Sequence, residues 1–142
     1  MNRVTAAARI LLVGSGLYVI DSFGPWNRAC RVECLIFTLW HGIGILAALV
    51  AMAILVLEGI PLVHPGAWTE TTLAPLSTMG AGFLLFLTVL KIAVDAAYLA
   101  YGAWLGLVLA AVVAYGGYRR WLDGRAGRPP DRQDGLQPPR AP

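Results

Sequence analysis

Residues 76–118 make a run of forty-three residues that contains only two charges, Lys91 and Asp95. As one helix, at about 1.5 Å per residue, the run would reach roughly 64 Å, about twice the ~30 Å hydrocarbon core of a bilayer. It therefore predicts a helical hairpin in a membrane, with the Lys–Asp pair near the hairpin's crest. A soluble domain of 142 residues has no place to bury this run and two further apolar ones. With 58% hydrophobic and 13% charged residues the composition departs from that of soluble chains in the same direction.

The other two runs lie upstream. Residues 4–20 are apolar apart from Arg9, which is close enough to a helix end for its guanidinium to snorkel to the headgroups, and Asp21 closes the segment. A basic start before an apolar stretch also fits a secretory signal, but no small-x-small cleavage site follows, so a retained helix is expected. Residues 35–57 hold no formal charge, are interrupted only by His41, and end at Glu58. Gly24 and Pro25 break the first connector; Pro61, Pro65, Gly66 and Pro75 punctuate the second. The expected fold is all-α, a polytopic bundle of four transmembrane helices at about residues 4–20, 35–57, 76–97 and 99–118. Residues 123–142, rich in Arg, Pro and Gly, are expected to be a disordered cytoplasmic tail.

The fourth helix carries two patterns. Tyr98, Tyr101 and Trp104 at one end and Tyr115, Tyr118 and Trp121 at the other form aromatic clusters about 26 Å apart along a helix, close to the thickness of a bilayer core. Between them Gly102, Gly106, Ala110 and Ala114 recur every fourth residue, a small-residue stripe on which another helix can approach closely. Gly42, Gly44, Ala47, Ala48 and Ala51 give the second span a similar surface, and Gly14-Ser15-Gly16 is read as close packing in the first.

Six of the eleven basic residues lie in the last twenty-four positions, which reads as membrane topology and not as a nucleic-acid footprint. Arg3 and Arg9 precede the first span and Arg119, Arg120, Arg125, Arg128 and Arg132 follow the fourth, so both termini are expected in the cytoplasm of a bacterial inner membrane. One connector resists this assignment. Residues 58–75 fall on the cytoplasmic side yet contain no Lys or Arg.

Few side chains offer chemistry. Lys91 and Asp95, spaced i, i+4, share a helix face and can pair, either as an ion-linked site facing the interior or as an interfacial tie. Cys30 and Cys34 match no zinc or thioredoxin spacing. On a continuous helix their Cβ atoms would be about 5–6 Å apart, too far for the ~3.5–4.5 Å of a disulfide, so a disulfide requires a non-helical connector; otherwise they are packing thiols. Helical rise likewise puts Cys34 and His41 about 10 Å apart, which excludes one shared metal. A haem held by two histidines would need His64, expected on the opposite side, and His41 is read as hydrogen-bonded to a neighbouring helix. No nucleotide-binding loop, catalytic-triad order or zincin motif occurs, so no cofactor or metal is expected and enzymatic activity is disfavoured.

Four spans opening on a short Arg-led helix (Ala7, Ala8, Arg9, Ile10, Leu11, Leu12) are similar in layout to many small bacterial membrane families, the DoxX-like ones among them. The similarity is of layout and not of motif, and it carries over no site. The leading expectation is a non-enzymatic accessory or structural subunit whose partners are the bilayer and another membrane protein or a second copy, met through the stripe. The alternatives are an oligomeric transporter or channel using Asp95 and Lys91, and a redox or quinone-linked protein using Cys30 and Cys34.

Overall fold

A computed structural model describes residues 5–30, 34–64 and 70–126. It is mostly helical, with α1 (Ala6–Asp21), α2 (Ile43–Val63), α3 (Glu70–Val94) and α4 (Tyr101–Ala126). Three of these contain segments long and apolar enough to cross a membrane: Ile43–Val63, Ala74–Val94 and Tyr101–Arg125. The expectation of an all-α chain is corrected between α1 and α2. There β1 (Asn27–Cys30) and β2 (Cys34–Phe37) pair antiparallel as a hairpin.

Local chemistry sets the helix limits. Thr5 caps α1 by accepting the Ala8 N–H at 3.2 Å, and at the other end the Ser22 N–H returns to the Tyr18 carbonyl at 2.9 Å. The second helix starts at Ile43, eight residues beyond the expected start at 35, because residues 34–37 are held in the hairpin. Gly42, at φ 58°, then turns the chain in a conformation that a side chain disfavours. The same helix continues through Glu58 to Val63, with Pro61 in its last turn.

α3 begins earlier than the expected 76–97 and ends at Val94. The expected turn at residue 98 is a longer connection over residues 95–100, containing one 3₁₀ turn at Ala96–Tyr98. α4 starts at 101 instead of 99 and runs past 118 into the stretch expected to be disordered. The rest of that tail lies outside the described residues.

α1 packs on α2 and α4, and α3 packs on the same two helices. α1 and α4 are antiparallel: Ile10 and Leu11 sit at Gly116, Val113 at Gly14, and Asp21 beside Gly106. The entry to α2 lies by the end of α1, where the Leu39 N–H donates to the Ser22 carbonyl at 3.1 Å. The C-terminal ends of α2 and α4 meet through Glu58 and Arg120.

Close approach is bought by glycine and alanine. Adjacent glycines serve two neighbours: a Cβ on Gly116 would come within 2.9 Å of Ile10 in α1, and one on Gly117 within 2.8 Å of the Ala81 methyl in α3. Ala47, Ala48, Ala51, Ala81, Ala103 and Ala110 are fully buried, whereas Val56, Phe83, Phe86, Trp104 and Val108 are exposed. Small residues inside and large apolar ones outside are the arrangement that suits helices packing in lipid.

Candidate functional site

The hairpin docks on the turn between α3 and α4, and this junction brings together Trp26, Asn27, Lys91 and Asp95. Backbone bonds fix it there: the Ala100 N–H donates to the Trp26 carbonyl at 2.7 Å and the Gly102 N–H to the Pro25 carbonyl at 3.2 Å. Asn27 adds a β-bridge to Leu99. The indole of Trp26, fully buried, lies across Gly106, donates Nε1–H to the Asp21 carbonyl at 3.0 Å, and stands edge-on to the Tyr18 ring.

Lys91 and Asp95 meet in this junction. Asp95 follows the last residue of α3, and its carboxylate takes both the Lys91 ammonium and, at 2.7 Å, the Asn27 side-chain amide. Lys91 is only 6% exposed, so it turns inward to its partner and does not snorkel to the surface. Burial raises the pKa of the Asp95 carboxyl, but the hydrogen bonds from Lys91 and Asn27 and the lysine charge outweigh it and hold the group below the usual carboxylate range. About one turn back along α3, Thr88 donates to the Leu84 carbonyl at 2.8 Å and so accepts the Tyr18 hydroxyl, also at 2.8 Å. α3 therefore presents Thr88, Lys91 and Asp95 in succession toward α1 and the hairpin.

A second ionic contact lies at the opposite end. Arg120 Nη1 donates to Glu58 Oε2 at 2.7 Å, with the two side chains 7% and 3% exposed. From Gly102, beside the hairpin, to Arg120 is eighteen residues of α4, or about 27 Å. The two ion pairs thus bracket an apolar body about as tall as the bilayer core.

The stripe on α4 is occupied from within. Gly102 is pressed against the Pro25 carbonyl, where a Cβ would come within 2.6 Å; Gly106 lies under the Trp26 ring; Ala110 is fully buried; and only Ala114 is half-buried. Gly102 and Gly106 thus face another part of this same chain, and Ala110 lies in its interior. Gly14 packs on Val113 of α4 and Gly16 on Leu55 of α2.

His41 lies outside α2, exposed in the bend after the hairpin with the Phe37 ring 5.3 Å away, so it does not tie two helices together as expected. His64 caps the far end of α2, and the helix length keeps the two histidines apart. The premise of a continuous helix through Cys30, Cys34 and His41 also fails. Cys30 and Cys34 are instead Cα partners in the hairpin register.

Sequence reasoning missed Asn27, Trp26 as a core residue, and the Glu58–Arg120 contact. A signal existed for the last: Glu58 ends an uncharged run in a connector without basic residues, and the Arg pair after the fourth span falls on the same side. Comparison with known proteins finds no matching family model, and no curated protein or solved structure that is significantly similar.

Proposed function

We propose that this chain is a four-span integral membrane protein with both termini in the cytoplasm, and that it serves as a non-enzymatic structural or accessory subunit. The observation that carries this reading is the use of its intramembrane charges. The Glu58–Arg120 pair joins α2 to α4, and Asp95, paired locally with Lys91 at the end of α3, is joined to the hairpin by the Asn27 amide, so these charges act as ties in a bundle.

Two further observations support the four-span arrangement. α1 is about 24 Å long and lies beside α4 from Gly116 to Gly106, with Val13, Leu17 and Ile20 facing outward. Arg120, near the end of α4, meets Glu58, near the end of α2, which supports a connector after α2 on the same side as the Arg-rich C-terminus. Since the α4 stripe is occupied internally, partner contact falls on the outer apolar faces, where Phe83 and Phe86 of α3 stack 6.4 Å apart and exposed. Purification in mild detergent followed by intact-complex mass spectrometry tests the assignment. A stoichiometric membrane partner is expected, and a monomer without partners would contradict the accessory role.

An ion-linked transport reading has one observation in its favour, the inward-facing Lys91 beside Asp95. Transport assays on Lys91→Met and Asp95→Asn decide it. Unchanged flux in both variants removes its basis.

A further inference from the structure

We infer that Cys30 and Cys34 form an intramolecular disulfide that closes the tip of the hairpin. The pairing register runs Asn27 with Phe37, Arg28 with Ile36, Ala29 with Leu35 and Cys30 with Cys34, so the two cysteines are opposed at the end of the register, Cys30 closing β1 and Cys34 opening β2. Directly opposed residues of an antiparallel pair have Cα atoms about 4.5–5.5 Å apart, inside the ~4.4–6.8 Å that disulfides span. The spacing that a helix would forbid is therefore the spacing that this hairpin supplies.

The hairpin's attachments say what the cross-link does. β1 carries Asn27, which holds Asp95, and the residue before it is Trp26, which holds the α3–α4 turn through its carbonyl and packs over Gly106. A covalent bond at the tip keeps β1 and β2 in register and so keeps this clasp closed. A clasp of this kind is structural, which separates it from the redox-catalytic use of the same cysteines. The bond persists on the oxidising side of a membrane, and that agrees with a hairpin opposite the Arg-rich end of α4.

Formation is a thiol–disulfide exchange with an oxidised dithiol donor, protein or small molecule. The thiolate of one cysteine attacks the donor's disulfide and releases one donor thiol; the second cysteine then attacks the mixed disulfide and releases the other. The two cysteines lose two electrons and two protons, and the donor gains them as two thiols.

The test uses the full chain in its native membrane. Membranes are quenched in acid, dissolved in SDS and alkylated with a maleimide-linked polymer, with and without prior reduction. No polymer attached before reduction and two attached after it, on a species that stays monomeric in a non-reducing gel, is the expected result. Two polymers attached without reduction would overturn the inference, and so would a reducible covalent dimer. The Cys30→Ser variant must then expose one thiol without reduction; if that thiol instead stays blocked until reductant is added, the partner is not Cys34 and the inference is wrong.

Discussion

Replacing Gly106 with alanine puts one methyl group where the buried Trp26 ring already lies, and so tests whether the stripe belongs to this chain's own core. An ideal Cβ at Gly106 overlaps Cη2 and Cζ2 of the indole and comes within 3.1 Å of Asp21 Oδ2. The closer neighbour, the indole ring, is not the free end of a flexible side chain. The ring is fully buried and held by Nε1 on the Asp21 carbonyl. Overpacking of this kind costs about 1–3 kcal/mol. Loss of the indole hydrogen bond adds about 1 kcal/mol if the ring turns away. Exchange of glycine for alanine within a helix returns about 0.8–1 kcal/mol. With the ring displaced, the net expectation for Gly106→Ala is a loss of about 1–3 kcal/mol.

Gly59→Ala and Gly82→Ala are the controls, since a Cβ at either position meets nothing within 4 Å. Both should leave stability unchanged or raise it by up to about 1 kcal/mol. Reversible unfolding of the purified protein in mixed detergent–SDS micelles measures all three. A Trp26→Leu background should remove most of the Gly106→Ala penalty, because the two changes share one contact. If Gly106→Ala behaves like Gly82→Ala, or if it dissolves an oligomer and leaves the monomer's stability intact, the internal assignment of the stripe is wrong.

Breaking the Glu58–Arg120 tie from one side, by Glu58→Ala or Arg120→Ala, should cost about 3–5 kcal/mol in the same unfolding assay, while the double change should cost clearly less than the sum of the two. Additive losses would mean that the two side chains do not interact. Asp95 predicts a pH dependence: its folded-state pKa lies below the unfolded value, so its contribution is complete above about pH 4 and disappears as the pH falls through the folded value. Asp95→Asn should therefore lower stability at neutral pH and flatten the acid limb of the stability profile; an unchanged acid limb would exclude Asp95 as its source. Reduction of the hairpin cross-link should cost about 2 kcal/mol from chain entropy for so short a loop, and equal stability of oxidised and reduced protein would deny it a clasping role.

The long apolar helices were legible because length and charge decide them: residues 76–118 hold only two charges and are too long for one span, and they fold as two helices, each with a segment long and apolar enough to cross a membrane. The Lys91–Asp95 pairing was legible for a similar reason, since i, i+4 spacing sets a local geometry. Hydropathy failed at residues 35–42. A short apolar run is equally suited to a buried strand and to a helix, and the pairing of Ile36 and Phe37 with Arg28 and Asn27 decides between them over a distance that a sliding window ignores. The same holds for Asn27 and Trp26, whose partners lie some seventy or eighty residues away at Asp95 and Gly106.

The α4 stripe is a place of close approach at Gly102 and Gly106, where part of this same chain comes near. Nothing in a small-xxx-small pattern says whether the approaching backbone is its own. Here it is the Pro25 carbonyl and the Trp26 ring. Gly116 and Gly117, where α1 and α3 both come close, fall outside the four-residue repeat and gave no such signal.

The central claim is a bundle of four spans whose N-terminus, α2–α3 connector and C-terminus share one side, with the hairpin on the other. Short epitope tags at the N-terminus, within residues 65–69 and at the C-terminus, each probed with an impermeant protease in intact cells and in inverted vesicles, test it most directly. All three tags should be protected in cells and cleaved in inverted vesicles. A tag at the N-terminus that is cleaved in intact cells would show that α1 does not cross, and a tag within 65–69 on the side opposite the C-terminus would be incompatible with Glu58 meeting Arg120.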